Sequence, residues 1–474
     1  MKIVLINPKS NHIVTAPPLG LLYIAAYVRK DHPDCTLSLI DAHLYHLNNE
    51  HIVKQIKTIQ PDIVGLYTIS ANAPYAISLI QAIRPYTPTI VIGGPLVTSW
   101  QQLIMMRCEA DFAIMGEGEI PFSNLIRYLK KYPHVSVPSI NRVISRTSSK
   151  SIIYEPEKDV ITDMNALPMP AWDMIDVESY FQASMNSESP VIGKKRVLPI
   201  FSSRGCPFKC SYCHNVFGKT FRARSAEHVV HEITYLKKTY GIEAIEIWDD
   251  VFNLDTKRLF RFCELMKAQS FSLNISFSNG LRGDILTKES VDALIEIGVK
   301  RINFGIESGT TRIQELLQKN QDLNKIKHIV AYIASKQKII TGGFFIIGNP
   351  TETLKEIQTT IRFANSLPLD LASFFSCTPN PGTDLFKRLP LNQQQNILQS
   401  PPMQYNYYEA RFPISKVSPK TINKLLRKAY IRFYLNWKRI RSIQKKVCLK
   451  DMGRNGLFLL LYILRPKGRL FTRG

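Results

Sequence analysis

The stretch Arg204-Gly-Cys-Pro-Phe-Lys-Cys-Ser-Tyr-Cys213 holds Cys206, Cys210 and Cys213 within eight positions. The chain has eight cysteines, and the other five (Cys35, Cys108, Cys263, Cys377, Cys448) are scattered. Thiolates at C-x3-C-x2-C spacing on one tight loop are ligands for iron or zinc. Chance would give this spacing in roughly 0.002 chains of the same cysteine content. A structural zinc site takes four ligands, usually as two separated pairs, and the sequence offers no second pair. His214 abuts Cys213, and adjacent side chains rarely reach one tetrahedral ion. A cube of four irons takes one thiolate per iron. Three thiolates leave one iron without a protein ligand, open to a small molecule. The spacing therefore points to a [4Fe–4S] cluster on Cys206, Cys210 and Cys213.

The elements around this loop set where the chemistry sits. The loop follows the apolar run VLPIFSS (197–203), the first of six such runs; the others are AIEIWDD (244–250), LNISFSN (273–279), RINFGIES (301–308), ITGGFFIIG (340–348) and LASFFSCT (371–378). Helical patterns follow the first five. Six parallel strands with helices outside predict a partial (β/α)6 barrel over 191–400, with its chemistry on loops at the carboxyl ends of the strands. Asp249 and Asp250 end the second strand; one is expected to face a ligand and the other to cap the turn. Glu307 and Ser308 end the fourth strand, and Gly348 and Pro350 shape the loop after the fifth.

The first 135 residues repeat the alternation: KIVLINP (2–8), TLSLIDA (36–42), DIVGLYTIS (62–70), TIVIGG (89–94) and DFAIMGEGE (111–119), with helical stretches between. Continuous apolar strands separated by helices predict a parallel sheet covered on both faces, a doubly wound Rossmann-like α/β domain. Its ligand site belongs at the strand ends, where Ser70, Gly93-Gly94 and Gly116-Glu117-Gly118 lie. Glycines there either admit a large flat ligand to the backbone or simply make turns. Residues 136–190 read as a connecting arm with a small hairpin, and 401–474 as a basic helical extension.

At 474 residues, 45% hydrophobic and 21% charged, the chain suits two or three globular domains. The scattered cysteines read as reduced thiols of a cytoplasmic protein. MKIVLINPKS reads as a strand, not a secretory leader. The net charge is +23, and from Lys416 onward seventeen Lys or Arg accompany one acid, Asp451. Such a tail is either a solvated basic face or a surface for anionic lipid or nucleic acid. The run LFLLLYIL (457–464) tilts the second reading towards peripheral membrane contact. Eight helical residues rise about 12 Å against the roughly 30 Å hydrocarbon core, so no transmembrane helix is expected.

C-x3-C-x-aromatic-C after the first strand of a (β/α) barrel resembles the radical S-adenosylmethionine (SAM) enzymes, with Cys206, Cys210, Tyr212 and Cys213 as the matching positions. The resemblance implies that SAM binds the open iron, that one electron from the cluster breaks its sulfonium C–S bond, and that a 5′-deoxyadenosyl radical abstracts hydrogen. It places Tyr212 beside the adenine, Glu307 and Ser308 at the SAM hydroxyls or amino group, Asp249 near SAM, and Gly348 near the adenine. For Glu307 a structural salt bridge is the plainer alternative. HNVFGKTFRARS (214–225), WDDVFN (248–253), FGIESGT (304–310), FFIIGNPTET (344–353) and NPGTDLF (380–386) resemble the cobalamin-dependent branch. PPLGLLYIAAY (17–27), VGLYTIS, IVIGGP and MGEGE resemble its cobalamin-binding domain. That implies a cobalamin site of Pro18, Leu19, Ser70, Gly93, Gly94, Gly116, Glu117 and Gly118. Some cobalamin proteins supply a lower axial histidine from D-x-H-x-x-G after the first strand. Here that loop reads NPKSNHIVTAPP, and Asp41-Ala-His43 follows the second strand without the glycine. His43 reads as a loop histidine, and base-off cobalamin is expected.

These readings converge on a cobalamin-dependent radical SAM enzyme that methylates an unactivated carbon or phosphorus centre. A second reading keeps the cofactors but not the methylation, as in oxidative cyclisation of a porphyrin ester. A third, an RNA-modifying enzyme using the basic tail, lacks the second N-terminal cysteine set of cluster-bearing RNA methylthiotransferases, which disfavours nucleic acid as a partner. A low-potential donor, flavodoxin or ferredoxin, is implied, together with a small-molecule or lipid-like substrate. The residue that moves protons is not readable.

Overall fold

The computed structural model describes residues 1–10, 15–132, 139–146, 152–154, 160–183, 196–213, 216–400 and 407–446. His214, Cys448 and the apolar run 457–464 lie outside them.

Five strands, β1 (Lys2–Asn7), β2 (Thr36–Asp41), β3 (Ile63–Tyr67), β4 (Thr89–Gly93) and β5 (Phe112–Ile114), pair in parallel in the order β2-β1-β3-β4-β5. Period-two side chains split this sheet between two cores. Val4 and Ile6 join one cluster with the helices on that face, while Ile3 and Leu5 join another with the helices Leu19–Asp31 and Glu119–Lys131. Both faces are covered, which is why these strands read as unbroken apolar runs.

The arm's hairpin has a different place from the one its sequence suggests. β6 (Val143–Arg146) pairs antiparallel with β5, and β7 (Ile152–Tyr154) antiparallel with β6. The hairpin thus extends the first sheet to seven strands, past residue 135, and covers its edge.

The second series begins with β8 (Val197–Ile200). A two-residue ribbon follows, β9 (Ser203–Arg204) with β10 (Arg222–Ala223), and then β11 (Ala244–Ile247), β12 (Asn274–Leu281), β13 (Val299–Glu307), β14 (Ile340–Ile347) and β15 (Leu371–Ser376). β8, β11, β12, β13, β14 and β15 form one parallel sheet in that order. This is a six-stranded open barrel with helices outside. Local signals set its helix ends: Thr353 and Glu356 form a reciprocal capping box, and Ser225 caps the helix Ala226–Tyr240 by accepting from His228 N–H.

An open barrel leaves an edge, and the C-terminal segment covers it. Tyr430 Oη accepts from Phe374 N–H at 3.0 Å and donates to Phe374 C=O at 3.1 Å. Tyr434 does the same for Ala372, at 3.1 and 3.0 Å. Both lie on the helix Pro419–Tyr434, and each hydroxyl stands in for a neighbouring strand on β15. Buried Arg439 donates to the carbonyls of Leu369 at 2.7 Å and Phe433 at 2.5 Å, and Lys446 pairs with Asp370 at 2.7 Å. Part of the basic charge is therefore structural. Lys420, Lys424, Arg427, Lys428, Arg432, Lys438 and Arg441 stay exposed. Among the described residues no helix is long and apolar enough to cross a membrane.

Candidate active site

The ribbon β9–β10 is the neck of the cysteine loop: Arg204 faces Arg222, and the residues between them form the loop. Gly205, at φ +82°, lets the neck close. A Cβ there would lie 2.1 Å from Thr220 C=O. Cys206 N–H donates to Gly218 C=O at 3.2 Å. At the tip, Ser211 N–H donates to Leu317 C=O at 2.8 Å, and Ser211 C=O accepts from Leu385 N–H at 2.7 Å. The loop is thereby pinned to segments that follow the fourth and sixth barrel strands. The Arg282 guanidinium stacks 3.7 Å from the Phe208 ring centroid and pairs with Asp284 at 2.8 Å.

Cys206 and Cys210 are half-buried and Cys213 is exposed. Yet burial pushes the Cys213 thiol up to about 12 and raises Cys206 as well. Asp250 shows the same combination: it is exposed, yet burial, then Asp249, pushes its carboxyl up to about 6. Groups that solvent reaches but protein surrounds line a recess. The raised thiols of Cys206 and Cys213 are neutral in the unloaded loop, so iron must displace their protons on binding.

Beside the loop, Tyr212 Oη donates to Glu307 Oε1 at 2.8 Å. Lys319 Nζ donates to the same oxygen at 3.2 Å and to Tyr212 Oη at 3.3 Å. Burial alone would lower the Lys319 ammonium, but the Glu307 carboxylate outweighs it and raises the group. Burial, then Glu307, raises the Tyr212 phenol. Glu307 sits at φ +66°, where the β13–β14 register shifts, a backbone conformation that costs a non-glycine residue about 1–3 kcal/mol. A Cβ on Gly305 would lie 2.8 Å from Glu307 Oε1 and 3.1 Å from Lys319 Nζ, so this glycine makes room for the pair.

The other barrel candidates separate. Asp249 is buried and accepts from Ser202 N–H at 2.7 Å, Ser202 Oγ at 2.5 Å and Ser203 Oγ at 2.6 Å. It fixes the chain entering the neck, while Asp250 is the one at the recess. Ser308 Oγ is buried against Thr360 Oγ1 at 3.1 Å. Gly348, at φ +79°, gives room to Ile422 of the helix Pro419–Tyr434, which a Cβ would meet at 2.8 Å.

On the first sheet, Glu117 and Glu119 reach the neck. Arg204 Nη1 donates to Glu117 Oε2 at 2.8 Å and Arg204 Nη2 to Glu119 Oε1 at 2.7 Å. Arg222 Nη1 also donates to Glu117 Oε2, at 3.2 Å, and its Nη2 pairs with Glu117 Oε1. All four side chains are 3–6% exposed. A Cβ on Gly116 would meet Arg142 and lie 3.2 Å from Val216 C=O, and one on Gly118 would lie 2.8 Å from Ile24. Their open backbone serves contacts within the protein. Gly93 is different: a Cβ there meets nothing nearer than Ile114 C=O at 3.9 Å, leaving space at the strand end. Gly94, at φ +106°, turns against Thr68, and Ser70 lies half-buried just before the helix Ala73–Ile83. Pro18 C=O accepts from Leu21 and Leu22 N–H to start its helix, and Leu19 is buried in the main core. The two sets of strand ends meet across a shared core, in which Leu385, Phe386 and Ile397 pack with residues of the first sheet.

The donor set fits a cluster: three thiols on one pinned loop, with Gly205 closing it. Among the described residues no three His, Cys, Asp or Glu side chains form a single-ion site. The open strand end at Gly93 is compatible with a flat ligand.

An open barrel whose first loop carries C-x3-C-x-Tyr-C defines a radical SAM enzyme. The Radical SAM superfamily model matches residues 200–364, and the B12 binding domain model matches residues 10–126. The chain is 32% identical over 490 residues to the uncharacterized methyltransferase PH0819 of Pyrococcus horikoshii, covering 99% of each. It is 27% identical to the cytidylyl-2-hydroxyethylphosphonate methyltransferase of Streptomyces wedmorensis, over 81% of each chain. It is 24% identical to the anaerobic magnesium-protoporphyrin IX monomethyl ester cyclase of Rubrivivax gelatinosus, over 89% of this chain and 74% of that one. The cobalamin-dependent SAM radical enzyme OxsB, solved with aqua-cobalamin and SAM bound, shares the fold at a TM-score of 0.74 and 17% identity, over 98% of this chain and 71% of that one. The chain belongs to the radical SAM superfamily, in the branch that carries a B12-binding domain. Its cofactors are a [4Fe–4S] cluster, SAM and cobalamin, and its reaction needs an external reductant.

Three residues of the site escape the sequence reading. Lys319 lies in the polar run Gln-Lys-Asn between two left-handed residues, Gln318 and Asn320; that turn pattern was its signal. Arg204 and Glu119 lie within the two recognised stretches, but nothing in their own neighbourhoods reveals that they pair.

Proposed function

We propose that this chain is a methyltransferase that acts on an unactivated carbon or phosphorus centre of a small or lipid-like molecule. The observation that carries this is full-length similarity, at 32% identity, to a protein named as a methyltransferase. The meeting of the cysteine loop with the B12-binding domain at Glu117 supports it. When bound, the cluster and cobalamin supply one-electron cleavage of SAM and a carrier for the methyl group.

The chain's own residues divide the remaining work. Cys206, Cys210 and Cys213 hold the cluster. Glu307, anchored by Tyr212 and Lys319 through one oxygen, offers the other to the SAM hydroxyls or amino group. Lys319 offers its remaining N–H groups to the SAM carboxylate. Ser308, Asp249 and Gly348 shape the walls behind these contacts. Gly93, Gly94, Ser70, Pro18, Leu19, Gly116 and Gly118 frame the cobalamin face, with Glu117 behind it. The working division of the chain is 1–135, 136–190, 191–400 and 401–474. Flavodoxin or ferredoxin fits the reductant. Leu435 and Trp437 are exposed among basic residues, the face that a peripheral membrane contact would use.

Anaerobic turnover with methyl-labelled SAM tests the reading. The expected result is S-adenosylhomocysteine and 5′-deoxyadenosine formed together, with label in the product. Deoxyadenosine without S-adenosylhomocysteine selects the cyclase-like reaction instead.

A further inference from the structure

We infer that Glu117 is a positioning residue, through which the N-terminal domain sets the place of the cysteine loop. The inference deepens the functional reading, since it takes that loop as the cluster's seat.

Arg204 and Arg222 stand directly opposite each other in the ribbon β9–β10. Like charges directly opposite in a ribbon repel, and buried charges are tolerated only when paired. Two carboxylates, both from the segment after β5, balance them. Glu117 spans the ribbon, one residue on each strand: Oε2 takes Arg204 and Oε1 takes Arg222. Glu119 takes the second arm of Arg204 at 2.7 Å.

The contacts continue into the loop. Arg222 also donates to Phe217 C=O at 3.0 Å, and the Arg204 guanidinium lies 5.2 Å from the Phe217 ring centroid and 5.0 Å from that of Tyr23. Gly116 admits Val216 C=O to its side. Both oxygens of Glu117 are thus committed to the neck. Its part in joining the two cofactor sites is mechanical: it ties the cobalamin-side loop to the two ends of the segment carrying Cys206, Cys210 and Cys213. Removing its charge loosens the neck without removing a thiol.

Hydrogen–deuterium exchange on the full chain, unloaded and loaded with iron and sulfide, tests this. Glu117→Gln keeps the shape and removes the charge. Amides of 205–221 are expected to exchange about tenfold faster or more, as a local opening would, while the strands of both sheets stay protected. In loaded protein, the electron paramagnetic resonance spectrum of the reduced cluster is expected to change its response to added SAM. Glu117→Asp, which keeps the charge, should fall between wild type and Glu117→Gln. Glu117→Gln combined with Arg222→Gln restores charge balance, with Arg204 left to Glu119, and should recover protection relative to Glu117→Gln alone. Unchanged exchange of 205–221 in Glu117→Gln, or no recovery in the double variant, overturns the clamp. Failure of wild type to take up four irons overturns the cluster reading instead, and the unloaded exchange result still decides the clamp.

Discussion

At the neck of the cysteine loop, two carboxylates face two guanidiniums with every side chain 3–6% exposed. At its tip, Glu307 and Lys319 pair at 3.2 Å beside Tyr212, on the loop that carries the exposed Cys213. The neck is closed and balanced, with the oxygens of Glu117 spent on protein. The tip is strained at Glu307 and exposed at Cys213, whose thiol burial pushes up to about 12. A buried, satisfied network rigidifies what it joins. Groups left partly unsatisfied in a recess are suited to a ligand. The same seventeen residues between Arg204 and Arg222 are thus bounded by a part built to hold still and a part built to receive.

The largest expected effect breaks the neck. Arg204→Met leaves Glu119 without its cation and Glu117 with only Arg222, and a broken buried pair costs about 3–5 kcal/mol. Anaerobic urea denaturation reads it, and a loss under about 1 kcal/mol would put the neck in the class of surface pairs. Next comes the tip. Lys319→Met removes charge-assisted hydrogen bonds worth about 1.5–3 kcal/mol, so SAM affinity, by equilibrium dialysis on loaded protein, should fall roughly ten- to hundredfold. Stability should move much less than in the neck variant. Equal stability losses for the two would erase the contrast.

The smallest effect is in pH. Asp250 keeps its proton to about 6 in the folded chain, against an ordinary value of 3.8. Between those values the native state binds more protons than the unfolded one, so this group makes stability fall as pH rises. Asp250→Asn should remove that part of the slope in unloaded protein. Solvent screening keeps the effect small, and an unchanged slope would place Asp250 outside the recess.

What sequence made legible follows from how local the physics is. The cysteine loop announced itself by composition, and both sheets by apolar runs whose period reflects burial on both faces. Asp249 and Asp250 were seen together as strand-end carboxylates, but which of them faces the recess depends on Ser202 and Ser203, some 47 positions away. The neck was opaque for the same reason: Glu117 and Arg204 are 87 residues apart and on different domains. The arm's hairpin was visible as a hairpin, but its pairing with β5 is a tertiary choice. Tyr430 and Tyr434 look like ordinary core aromatics on an amphipathic helix until their hydroxyls are found on the edge of β15. The tail's charge read as surface, whereas Arg439 and Lys446 are spent on buried carbonyls and Asp370.

Gly205 offers no side-chain ligand to iron, yet its position leaves no room for a side chain. Its left-handed backbone, and the Thr220 C=O that a Cβ would run into, leave no volume for even a methyl group. In a saturation scan of 204–213 scored by cluster content, Gly205 should prove as intolerant as the three cysteines, and far more so than Pro207, Lys209 or Ser211. Its alanine variant should keep all three thiols and still load poorly, because a hairpin that cannot cross at its base cannot gather what it carries.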